Sequence, residues 1–391
     1  MSYIIERVYR RIIPALVTVA ALSACAKTEV IPAAVESEVS FSVAPLTRDG
    51  SSTLKSLNDD SWIVYKAYYL GPGFNNSTGK WEEKAGSSLE YNPDNGGYPF
   101  IKRSSDGTWH STVKLYWPTD AGTLSFYAWT LNISGNEPSY KWNRPEIYKT
   151  TGVSWTHDIL DVDSGDSHIG TNGFDFMVAD PAVDKTKNEH IYNVDGVPLL
   201  FRHMLTMLRI TARTSDDYSE AKEFYIRSIK LTDMLQKASF QQCSWDESAS
   251  PKWSVVNRWT PVTDETSGNP KVCDVDFYKY SGTEDSKTAA GLKVESHDDS
   301  APTDVTANIS YYNPQDFTGE ETVELTYQIK NLTNNVVENI TKTMALKDIV
   351  GDKFELGHRY TINLIFGLDE ILWDPAIDDW TPEEKTVEIK N

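Results

Sequence analysis

Apolar and small polar residues alternate in the stretch "EVSFSVAP": Val39, Phe41 and Val43 fall on one face, Ser40 and Ser42 on the other. A period of two is that of a strand with one buried face, so residues 39–45 are expected to form the first strand. Pro45 ends the pattern, and "LTRDGSS" follows as an exposed, turn-rich loop that carries Arg48. The runs "SWIVYKAYYL", "STVKLYWP" and "TLSFYAWTL" predict three more strands, the last two separated by the turn "TDAG". Between residues 132 and 193 the pattern weakens into loops rich in Asp, Ser and Gly, with "GFDFMVAD" as a strand inside them.

Periodicity returns in "VPLLFRHMLTMLRITAR", "FYIRSIKLTDM", "ETVELTYQIKN" and "RYTINLIFGL". Val323, Leu325, Tyr327 and Ile329 share one face, as do Tyr360, Ile362, Leu364 and Phe366. No amphipathic run of helical period exceeds about three turns, and no repeat of 20–50 residues is present, which excludes solenoids and propellers. The fold expected is all-β. The 391 residues suffice for two domains at ~150 residues each, with the division near residue 196: an N-terminal domain over 39–196 and a C-terminal one over 197–391.

The chain before the first strand has a different character. A basic start (Arg7, Arg10, Arg11) precedes the apolar residues 12–22, a run shorter than the ~20 residues that span a bilayer. This is the order of a secretory signal peptide. It ends in Leu22-Ser23-Ala24-Cys25, which reads as a lipobox, with small residues admitting a signal peptidase and the Cys25 thiol taking a diacylglyceryl group. Residues 1–24 are then the signal peptide and 25–38 a lipidated tether. The plainer alternative is a small-residue cleavage site that happens to contain Cys.

Charge narrows the partners. The net charge of −20 becomes −22 once residues 1–24, with three Arg and one Glu, are removed. That acidity and the lack of a basic patch exclude a nucleic-acid binder. Two further cysteines, Cys243 and Cys273, are either two buried free thiols or a disulfide. Such a bridge would close a loop of about 30 residues and add roughly 3–4 kcal/mol in an oxidising compartment.

Catalytic and metal motifs are missing. There is no GxSxG elbow, HExxH pair or Walker loop, and "GPGFNN" has Asn76 where a dinucleotide loop needs its third Gly. In "DVDSGDSH", Asp161, Asp163 and Asp166 offer oxygens, but Gly165 sits at a calcium-ligand position and Asn172 where a bidentate Glu is expected, so a solvated acidic loop is the reading. His203, inside a strand pattern, is expected to be structural. No cofactor or metal is implied, and the chain is not expected to be an enzyme.

The lipobox, "YWPTDAGTLSFYAW" (116–129), "VPLLFRHMLTMLRITAR" (197–213), "SIKLTDM" (228–234) and "FELGHRYTINLIFGL…IDDW" (354–380), taken in order, resemble the Bacteroidales fimbrillin family, the type V pilins. The resemblance implies a lipoprotein precursor with two tandem transthyretin-like β-sandwich domains, exported to the outer membrane and cell surface as part of a fimbrium. Its partners would be other pilin subunits, the outer membrane through the lipid on Cys25, a processing trypsin-like protease, and a receptor or glycan on a host or bacterial surface. In stalk members of the family that protease cuts after an Arg or Lys following the first strand. The matching position is Arg48, which would free Asp49 as the new N-terminus and remove Val39, Phe41 and Val43. Subunits then polymerise by strand exchange, whereas an anchor subunit would keep Cys25 and the first strand.

Physical chemistry makes the exchange intelligible. A sandwich that loses residues 39–45 exposes an apolar groove and unpaired backbone groups until another strand fills it. In "EKTVEIKN", Val387 and Ile389 alternate with polar residues, so residues 385–391 are a candidate donor strand. The alternatives are an edge strand of their own domain for residues 385–391, and a solvated loop residue for Arg48. A competing function is a surface glycan-binding lipoprotein, with Trp142 and Trp155 as stacking platforms.

Overall fold

The computed structural model describes residues 38–45, 57, 61–70, 72–75, 80–83, 89–90, 99–118, 122–131, 145–148, 151–160, 174–187, 196–218, 221–245, 248, 253–282, 289–367 and 371–379. The described residues from Val39 onward belong to one compact unit.

The strand β1 (Phe41–Pro45) lies inside a sheet rather than at an edge. Its sheet also contains β2 (Ile63–Leu70), β3 (Phe100–Arg103), β4 (Trp109–Ser111), β5 (Thr123–Thr130), β6 (Met177–Ala179) and β7 (Val197–His203). β1 runs parallel to β7 and antiparallel to β4. From β4 the pairing passes through β3, β2, β5 and β6 back to β7, so the seven strands close on themselves.

The inner face of this ring follows the two-residue period. Ile63, Tyr65 and Ala67, then Leu124, Phe126 and Ala128, then Val197, Leu199 and Phe201, pack together around Val39 and Phe41. The outer face is covered as well. A four-stranded sheet (Trp253–Pro261, Lys237–Trp245, Gly152–Asp158, Glu146–Tyr148) lays Ile147, Val153, Trp155, Phe240 and Cys243 against Val64, Tyr68, Tyr127, Trp129 and Val178. Burial on both faces explains why β2 and β5 read as nearly continuous apolar runs instead of alternating ones.

Most of the remaining described strands form a second sandwich. One layer holds β8 (Thr206–Thr214), β11 (His358–Phe366) and β12 (Ile371–Asp379), with β8 and β11 parallel. The other holds β9 (Lys222–Leu235) and β10 (Thr322–Asn331), flanked by Val272–Lys279 and Val337–Ala345. Leu208, Ile210, Ile362, Leu364 and Phe366 meet Phe224, Ile226, Ile229, Leu231, Leu325 and Tyr327 between the layers. In β9 the inward positions change from even to odd numbers because a bulge between Ile226 and Ser228 adds a residue, which shifts the phase of every side chain after it. The run 197–213 is thus shared: Val197–His203 completes the ring and Thr206–Thr214 opens the second sandwich.

A short helix, α1 (Leu346–Val350), buries Leu346, Ile349 and Val350 against the second core. Among the described residues no helix is long and apolar enough to cross a membrane.

Candidate strand-binding site

The sequence pattern and the ring converge on the slot that β1 fills. Val39 and Phe41 are only 3% and 4% exposed, while Val43 is half-buried and Ser40 faces outward. The backbone is sewn in on both sides. The Val39 N–H donates to the Leu115 carbonyl at 2.7 Å, and the Val197 N–H donates to the Ser40 carbonyl at 2.8 Å. Phe41 pairs with Val197 across one side and with Trp109 across the other.

The pocket under Phe41 is aromatic. Its ring lies 5.2 Å from that of Tyr65, tilted by 57°, and 5.6 Å from that of Phe126 at 88°. Phe126 in turn meets Trp117 at 6.2 Å, edge to face. These are the favourable geometries for ring quadrupoles. The Tyr65 hydroxyl shares a hydrogen bond with Ser111 Oγ at 2.7 Å, and burial pushes its pKa up to about 12.

Gly196 sets how closely the neighbouring strand approaches β1. Its φ of +85° is a conformation that glycine tolerates and side chains resist. A Cβ there would lie 2.6 Å from the Ser40 carbonyl carbon and oxygen and 2.7 Å from the Phe41 nitrogen. Backbone therefore rests directly on backbone.

Comparison with known proteins supports a single family. The fimbrillin-like family profile matches residues 75–380, most of the chain. The protein belongs to the fimbrillin-like family. In fold it is similar to a fimbrial protein from Bacteroides vulgatus, with 17% identity, a TM-score of 0.54, and coverage of 88% of this chain and 99% of that one. More distant similarities are to the C-terminally truncated tip fimbrial protein Mfa3 from Porphyromonas gingivalis (9% identity, TM-score 0.36, 88% and 100% covered) and to a fimbrial assembly protein from Parabacteroides distasonis (9%, 0.32, 88% and 99%). No curated protein matches in sequence.

Other predicted positions of this fimbrillin-like chain fall elsewhere. Cys25, Arg48, Asp49, Val387 and Ile389 lie outside the described residues, as do Trp142, Asp161, Asp163 and Asp166. Cys243 and Cys273 are free thiols, not a disulfide. Cys243 sits beside Gly152 and Cys273 near Asp158, at opposite ends of one seven-residue strand, ~20 Å apart and beyond the reach of a bridge. Burial pushes both thiols up to about 12.

Trp155 is not a sugar platform. It is 5% exposed and packed against His157 at 4.6 Å and Phe176 at 4.7 Å. The alternating "VSWTH" places it on a covered face, and the covering strands come from residues 237–261. His203 is buried with Asp175, Nδ1 to Oδ1 at 2.6 Å, a satisfied structural pair. Among the described residues no three His, Cys, Asp or Glu side chains gather to hold a metal.

Sequence reasoning missed Gly196, Leu115 and Trp109 as parts of the slot. The signal for Gly196 was its place immediately before an alternating strand, where a glycine marks a close backbone approach.

Proposed function

We propose that the protein is a structural, adhesive subunit of a fimbria at the cell surface, exported as a lipoprotein through Cys25 and assembled by strand exchange at the β1 slot. The observation that carries this reading is the position of β1. It is a five-residue strand at the start of the compact unit, buried on its apolar face and paired on both sides, and the next strand among the described residues begins at Ile63. A cut after Arg48 would leave β1 held by non-covalent contacts alone. Its loss would expose Val197, Leu199 and Phe201 on one side of an opened ring, along with two rows of backbone groups. A new strand would restore several buried side chains, each worth about 1.5–3 kcal/mol, together with the ladder of hydrogen bonds. Residues 385–391, with Val387 and Ile389, are our candidate donor to a neighbouring subunit. This reading keeps two domains divided near residue 196, with Val197–His203 pairing back onto strands of the first.

The intact mass and N-terminal sequence of the protein recovered from cells test the trigger. A chain beginning at Asp49 supports exchange. A chain beginning at diacylated Cys25 with Arg48 uncut makes the subunit a permanently tethered anchor. Deleting residues 385–391 should abolish polymers and leave the monomer folded; normal polymers from that deletion would remove them as donor.

A further inference from the structure

The β1 slot is position-specific rather than a uniform groove. We propose that it selects its occupant by an aromatic residue at the Phe41 position, so that the strand filling it in a fimbria comes from a different kind of subunit and not from residues 385–391 of a second copy. The inference rests on the strand-exchange reading.

Three features fix what the slot demands. The first is the pocket: Tyr65 and Phe126 present their rings to Phe41 from two directions, with Trp117 behind Phe126. Close-packed interiors collapse poorly around a missing ring, so an aliphatic side chain leaves part of that surface without a partner. The second is the lateral fit. A Cβ added at Gly196, directly before the Val197 that pairs with Phe41, would meet the Ser40 and Phe41 backbone at 2.6–2.7 Å, so the strand lies tight against β7 and its backbone cannot shift along that side to bring a shorter side chain closer.

The third is register. The bonds from Val39 to Leu115 and from Val197 to Ser40 hold the strand on both sides, and a slip of one residue would turn its apolar face outward. A slip of two would put a valine where the aromatic pocket is. The slot therefore reads aliphatic, aromatic, aliphatic at alternate positions.

Residues 385–391, "KTVEIKN", do not match. Val387 and Ile389 are the only apolar residues there and no aromatic is present, so every register seats an aliphatic or polar side chain against Tyr65 and Phe126. The chain's own tail is then suited to a slot on another subunit, and its own slot to a strand of β1 type.

The test uses the full chain with a specific protease site placed within residues 46–50, cut so that β1 can exchange. Fluorescence anisotropy follows the entry of labelled peptides. These are residues 38–45, the same peptide with Phe41→Ile, residues 384–391, and the last with Ile389→Phe. The 38–45 peptide should bind, the Phe41→Ile peptide at least about tenfold more weakly, and the 384–391 peptide as weakly or worse, with Ile389→Phe recovering much of the loss. Equal binding by the 38–45 and 384–391 peptides overturns aromatic selection and leaves strand exchange standing. Binding by none of them, the chain's own 38–45 sequence included, overturns both.

Discussion

Gly196 touches the backbone of Ser40 so closely that a methyl group added to it would overlap the Ser40 carbonyl at 2.6 Å. The contact joins two parts of the chain more than 150 residues apart, and it decides whether the first strand fits its sheet. Gly196→Ala combines this clash with a φ of +85° that strains a side chain. We expect it to lower unfolding stability by at least about 2 kcal/mol and to loosen β1. Urea unfolding and amide exchange at Val39 and Phe41 measure both effects. A variant as stable and as protected as the parent would remove Gly196 from its assigned role.

Phe41→Ala empties the aromatic pocket and should cost about 3–5 kcal/mol, whereas Phe41→Leu should cost clearly less. Ser40→Ala, at an exposed position of the same strand, should change stability by no more than about 0.5 kcal/mol. Denaturation midpoints of the three variants check the ranking, and equal losses would mean that the pocket does not discriminate.

His157 predicts a pH dependence. It is buried, and its Nδ1–H donates to Asn313 Oδ1 at 2.8 Å, while Asn313 Nδ2 is committed to the carbonyls of Leu235 and Gln236. Burial lowers its pKa to about 4, with the Asn313 bond and nearby Asp158 opposing that shift, so the ring is neutral near pH 7. An unfolded histidine takes up its proton near 6.5, so the unfolded chain binds more protons between these values. Stability is then complete above pH ~6.5 and declines as pH falls toward 4, by about 3 kcal/mol at most. His157→Gln should flatten this part of the profile. Parallel curves for parent and variant from pH 7 to 4.5 would contradict it.

Cys243 and Cys273 should be slow to react with thiol reagents in the native protein, since burial raises both thiols to about 12. Alkylation in urea without reductant should then modify both. Mass spectrometry distinguishes this from a disulfide, which would block both until reduced.

The first strand was legible because its apolar period is local: Val39, Phe41 and Val43 alternate without reference to anything distant. The all-β class was legible on the same ground, as were the inward faces of β10 and β11. Closure of the ring was not, because β1 pairs with Val197–His203, and no local pattern states which distant strand is the partner. The bulge in β9 was hidden for a similar reason, since an extra residue is visible only against the opposite strand. Trp155 shows the limit most plainly. Its segment falls in the stretch expected to be loops, yet it forms the strand Gly152–Asp158, and the sheet that buries it is completed from residues 237–261.

A ring of strands has no loose edge to offer a neighbour. While β1 is in place, the ring gives a neighbouring chain no free backbone to pair with. Taking out one strand creates two sticky borders at once, on β7 and on β4. The closed and the opened ring thus differ by one short strand, and only the opened one carries unpaired backbone on both sides of a gap.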